Sequence, residues 1–191
     1  MKLKIFLLFL ISAFIFAISG YLGIGSNPFS SELITRSPEE FEWLKSSFAA
    51  GRLILGLFYA ALIIFFHALW FWTLTDVPYA KLVVLQSFIF PVLLAENTLN
   101  IFLAVQFNLP WFSSPFSLGP AAHYMMSHPF FIYFLGSISL FKFWVIAFQL
   151  YGLRMLSSQR PLILFMIIIG IHIISWIGKA TLAFLDFKVI L

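Results

Sequence analysis

The chain has 191 residues, of which 62% are hydrophobic and only 9% charged, with a net charge of +4. Its mean hydropathy of +1.05 excludes an ordinary soluble domain and points to an all-α, polytopic bundle of transmembrane helices. Cysteine is absent, which removes disulfides, thiolate metal sites and thiol catalysis together, and no basic run interleaved with aromatics suggests nucleic acid as a partner.

In chain order, Lys2 and Lys4 precede an apolar run from Ile5 to about Ile24. Residues 1–24 read as an uncleaved first span or signal anchor. A cleaved signal peptide is the alternative, weakened by the length of the run and by the imperfect cleavage pattern Ala17-Ile18-Ser19. Residues 25–50 form a charged loop. Within it Ser37-Pro38-Glu39-Glu40 has the features of a helix start: a serine cap, proline at the first helical position and glutamate three residues after the cap. Phe41, Leu44 and Phe48 then fall on one side, as in a short helix lying in the headgroup layer.

Residues 51–191 are expected to form four further spans. The second span covers about Leu53 to Leu74, with Gly56 and Ala60 as a small-xxx-small pair, His67 continuing that face and Trp70 and Trp72 at the interface. After the turn Thr75-Asp76-Val77-Pro78, the third span runs from Tyr79 to about Gln106. Pro91 interrupts its middle, and Glu96, Asn97 and Asn100 form the most polar cluster at membrane depth.

Residues 107–128 carry no Asp, Glu, Lys or Arg and read as an interfacial loop anchored by Trp111, Phe112 and Phe116. His123 and His128 flank two methionines, soft ligands of the kind that hold copper(I), but both histidine before a helix and methionine in an apolar chain are ordinary, and no metal or other cofactor is expected.

Pro129 to Leu156 reads as one long fourth span. Ser139, Lys142, Gln149 and Gly152 recur on it at steps that place them on one face, turned away from lipid. The fifth span follows Ser157–Pro161 and runs to about Asp186, with His172, Ser175, Lys179 and Asp186 on one face. Counting ~1.5 Å per residue along straight rods puts Glu96 ~22 Å, Lys179 ~27 Å and Lys142 ~12 Å from the cytoplasmic edge. Glu96 and Lys179 are thus the expected ion pair. Lys2, Lys4, Lys81, Arg154 and Arg160 gather on one side, which places the N-terminus in the cytoplasm, although Arg36, Lys45, Arg52 and Lys188 oppose the bias.

Several of these residues also carry a resemblance. Tyr79-Ala80-Lys81 leading to Pro91, then Phe143-Trp144 followed by Gly152-Leu153-Arg154 and a last apolar span, resemble the Yip family, named for interaction with Ypt and Rab GTPases and widespread in bacteria. The resemblance covers roughly residues 75–175. It implies a bacterial-type, five-span protein of the cell membrane, with Pro91, Trp144 and Gly152 as structural positions. Lys142 stands where that family usually has an apolar residue.

No nucleophile, acid–base pair or phosphate-cradling loop appears as a motif, so the chain is expected not to be an enzyme. His67, Glu96, Asn97, Asn100, Lys142, Gln149, His172 and Lys179 are the intramembrane polar candidates. The expected role is contact with the lipid bilayer and with a membrane-protein partner or a second copy. The alternative is a small transporter or channel that uses those residues as a polar path.

Overall fold

The computed structural model describes residues 2–25 and 37–185, so Arg36, Asp186 and Lys188 lie outside the described residues. These residues are helical apart from turns and one isolated bridge, and divide at Ile63 and Ile64 into two compact units. Four helical runs are long and apolar enough to cross a membrane: Lys2–Tyr21, Glu39–Leu74, Tyr79–Phe107 and Pro161–Phe184.

The first unit is an antiparallel pair, α1 (Lys2–Tyr21) and α2 (Pro38–Ala61). The capping box at the start of α2 is formed: Glu40 N donates to Ser37 Oγ at 3.4 Å and Ser37 N to Glu40 Oε2 at 3.3 Å. No separate short helix results, because nothing after Glu40 stops the ladder and α2 continues through Gly51. The pair closes over small residues. A methyl group on Gly56 would lie 2.7 Å from the Ser12 carbonyl oxygen, so only glycine allows this approach, and Ser12 Oγ donates back to the Gly56 carbonyl at 2.7 Å. Further along, Arg52 Nη2 donates to Ser19 Oγ at 2.9 Å, and Lys45 Nζ lies 3.9 Å from the centre of the Tyr21 ring. Polar atoms of an apolar hairpin thereby find partners within it.

A π-helical stretch, Leu62–Phe66, follows α2 and leads into α3 (His67–Leu74). In the second unit, α3 joins α4 (Tyr79–Phe107) through the turn that holds Asp76. The α4 helix runs through Pro91 and ends at Asn108, whose left-handed backbone (φ 53°) suits a short amide side chain. A 3-10 turn at Trp111–Ser113 and the short α5 (Gly119–Met125) follow.

The expected single fourth helix is two helices, α6 (Pro129–Gly136) and α7 (Leu140–Leu156). The break falls on Gly136-Ser137-Ile138-Ser139, where serine side chains compete for backbone groups: Ser137 Oγ donates to the Tyr133 carbonyl at 2.9 Å. The 107–128 loop completes the backbone pairing there. Leu118 N donates to the Ile138 carbonyl and Leu140 N to the Phe116 carbonyl, both at 2.9 Å. A methyl group on Gly136 would sit 2.8 Å from the Phe112 carbonyl oxygen, so glycine is what lets the loop backbone lie against the break. Irregular backbone is stable in an apolar setting only where protein satisfies it in this way. The last helix is α8 (Pro161–Phe184).

Candidate functional site

Two polar layers cross the second unit, and α7 contributes to both. The stripe read from the sequence does share one face, and that face is turned to α4. Lys142 meets Glu96, Gln149 meets Gln86, and Gly152 packs against Leu85. As the α7 numbers rise the α4 numbers fall, so the two helices are antiparallel.

The charged layer sits at the α6–α7 break. Ser139 is extended and caps α7, its Oγ accepting from Lys142 N at 3.4 Å while donating to Glu96 Oε1 at 2.6 Å. Lys142 Nζ donates to Glu96 Oε2, also at 2.6 Å. Both carboxylate oxygens are therefore engaged from one helix start, where the α7 dipole favours negative charge. The expected Glu96–Lys179 pair is corrected: Glu96 is paired with Lys142. The ~12 Å depth expected for Lys142 was too shallow: counted along the unbroken α7 from its Leu156 end it lies ~21 Å away, close to the ~25 Å of Glu96 from Tyr79, and the break makes Ser139 the cap that joins it on the carboxylate.

Lys179 approaches the same place from α8, its Nζ 3.7 Å from the centre of the Trp111 ring and within electrostatic range of Lys142 and Glu96. A small cleft lies between them, lined by Glu96, Asn100, Trp111, Ser114, Ser139 and Lys179 among others, with free space on the scale of one water molecule. Asn97, one residue from Glu96, is not part of that lining, and its Nδ2 is buried with no hydrogen-bond partner.

The second layer is neutral. His172 Nε2 donates to Gln149 Oε1 at 2.9 Å, and Gln149 Nε2 donates to Gln86 Oε1 at 3.3 Å, so one chain of bonds ties α8, α7 and α4. All three side chains are buried. Gln86 Nε2 and the indole nitrogen of Trp176, whose ring centre is 5.6 Å from that of His172, have no partner. His67 stands apart from this chain, its Nε2 3.4 Å from Ser175 Oγ on α8.

Gln86 was not singled out from the sequence. The signal was available: it precedes Pro91 on an apolar helix at a level matching Gln149 on the antiparallel neighbour. A third polar contact joins two turns. The Asp76 carboxylate accepts from the hydroxyls of Ser157 and Ser158, and from Ser158 N at 3.0 Å. The Ser157 hydroxyl first, then the Ser158 hydroxyl and amide, hold this exposed carboxyl well below the usual carboxylate range.

His123 and His128 are occupied separately. His123 Nε2 lies 3.0 Å from Ser113 Oγ, whereas His128 Nδ1 accepts from Phe130 N at 3.3 Å and its ring stacks on Phe184. Trp144 points outward, 63% exposed, with Phe148 as its aromatic neighbour. Compared with protein-family models, with curated proteins and with solved structures, the chain matches none. What fold and site define is an all-helical protein with four helices fit to cross a membrane and two polar layers between helices of its second unit.

Proposed function

We propose that the chain is a non-enzymatic, multi-pass protein of the cell membrane that acts through protein or lipid contacts within the bilayer. The observation that carries this is the use made of the polar side chains. Glu96, Lys142, Gln86, Gln149 and His172 are spent on bonds between helices, as helix-joining polar residues in membranes are. In the same proposal α6 and α7 together make a fifth crossing, since the 17 residues of α7 reach only ~25 Å against a ~30 Å hydrocarbon core. The N-terminus lies in the cytoplasm. The Yip resemblance belongs to this reading through Pro91, Trp144 and Gly152 alone.

Reporter fusions at Ser158 and after Leu191 should report opposite sides of the membrane, and the same side would remove the five-span topology. Crosslinking of the full chain in membranes, followed by mass spectrometry, should return a reproducible partner or a second copy. Gradient-driven flux of a solute or of protons in proteoliposomes would instead make the polar residues a transport path and end the contact reading.

A further inference from the structure

Charge in the cleft at the α6–α7 break does not balance. Glu96 is already neutralised by Lys142 at 2.6 Å and bonded by Ser139, and no ion pair among the described residues involves Lys179. Its ammonium rests on the Trp111 ring face, an attraction that leaves the positive charge in place. Asn100 and the buried Ser114 add an amide and a hydroxyl to the same wall, each with a donor that a bound oxygen could use.

Position supplies the second half of the argument. Lys179 stands on an exposed stretch of α8, beside Ile177 at 44% exposure and Leu182 at 63%, so its stem lies along the surface that lipid would cover. Counted from Pro161 it is ~27 Å along the helix, close to the far edge of a ~30 Å core, and a lysine there reaches toward the headgroup layer. The uncharged, aromatic 107–128 loop is at that same end, with Trp111 as the ring beneath the ammonium.

We propose that Lys179, Trp111 and Asn100 form a binding site for the phosphate of an anionic phospholipid, which enters the cleft from the lipid side while its chains stay in the bilayer. The site rests on the contact reading above and names lipid as one of its partners. A lipid phosphate supplies the counter-charge that the protein withholds from Lys179, and the small free space admits phosphate oxygens while excluding a whole headgroup.

The test is native mass spectrometry of the purified full chain in detergent, counting retained lipid after addition of phosphatidylglycerol or of diacylglycerol, which has the same chains without the phosphate. The intact protein should retain phosphatidylglycerol in preference, and Lys179→Met should lower that retention about fivefold, the scale of one lysine's attraction to an anionic surface. Lys179→Arg should keep it. Lys179→Gln replaces the methionine variant if the latter fails to fold, and Trp111→Leu should lower retention without changing charge. Equal retention of the two lipids, or an unchanged count in Lys179→Met and Lys179→Gln, would overturn the site. Displacement of phosphatidylglycerol by millimolar inorganic phosphate would show a free-anion site and overturn the lipid assignment. These counts are independent of the flux assay, so loss of the site and loss of the contact reading are told apart.

Discussion

The two polar layers of the second unit solve one problem with different chemistry. Gln86, Gln149 and His172 meet where three helices are regular and packed, and each is at most 5% exposed. Neutral groups suit that place, because an amide needs only a hydrogen bond whereas an ion also needs its charge compensated. Glu96 and Lys142 meet instead where a helix is broken, at 12% and 16% side-chain exposure, beside a helix start and a cleft. The comparison teaches that formal charge is placed where irregular backbone and the nearby interface already supply polarity, and that amides do the joining elsewhere.

The largest effect should come from the charged layer. Glu96→Gln leaves Lys142 without its counter-ion, and a loss of about 2 kcal/mol is expected, below the range for a fully buried pair because both side chains keep some exposure. Thermal unfolding in detergent should then show Glu96→Gln/Lys142→Met recovering much of that loss, and Glu96→Gln/Lys179→Met recovering little. Equal recovery with Lys179→Met would return Lys179 to the role of partner and dissolve the assignment of the two lysines.

A smaller effect is expected in the neutral layer. Gln149→Leu removes the bridge and strands His172 and Gln86, at a cost of about 1 kcal/mol, since interhelical hydrogen bonds in membranes are individually modest. The same unfolding measurement ranks it against Glu96→Gln. A larger loss for Gln149→Leu would invert the contrast between the layers.

The smallest concerns Asp76, a charge placed fully in the open as a control for both layers. Its folded-state carboxyl is held below the ordinary value of about 3.9, so the stability it contributes is present above that pH and is lost as pH falls through the lowered value. Asp76→Asn should flatten the acid side of a plot of thermal midpoint against pH, by a small amount because the group is exposed to solvent. An unchanged acid slope would mean that the serine contacts exert no hold on the carboxyl.

Composition and period alone determined the helical class, the positions of three of the four long apolar helices and the C-terminal end of the remaining one, and the α7 face that carries Lys142, Gln149 and Gly152. These follow from the chain because apolar length and a 3.6-residue repeat are local properties. The capping box at Ser37 was equally legible, as its two bonds span three residues. Only the tertiary structure decided which lysine Glu96 takes. The Gly136-Ser137-Ile138-Ser139 break makes Ser139 and Lys142 the cap and first turn of α7, both within reach of Glu96, and it is held open by Phe116 and Leu118 of a loop some twenty residues earlier in the chain. The pairing of Gln149 with Gln86, the Asp76 contact with Ser157 and Ser158, and the placing of Lys179 on Trp111 share that cause. Each joins residues distant in sequence, and the free energy that selects one partner over another is set by which helices pack together and where their backbone hydrogen bonds are completed.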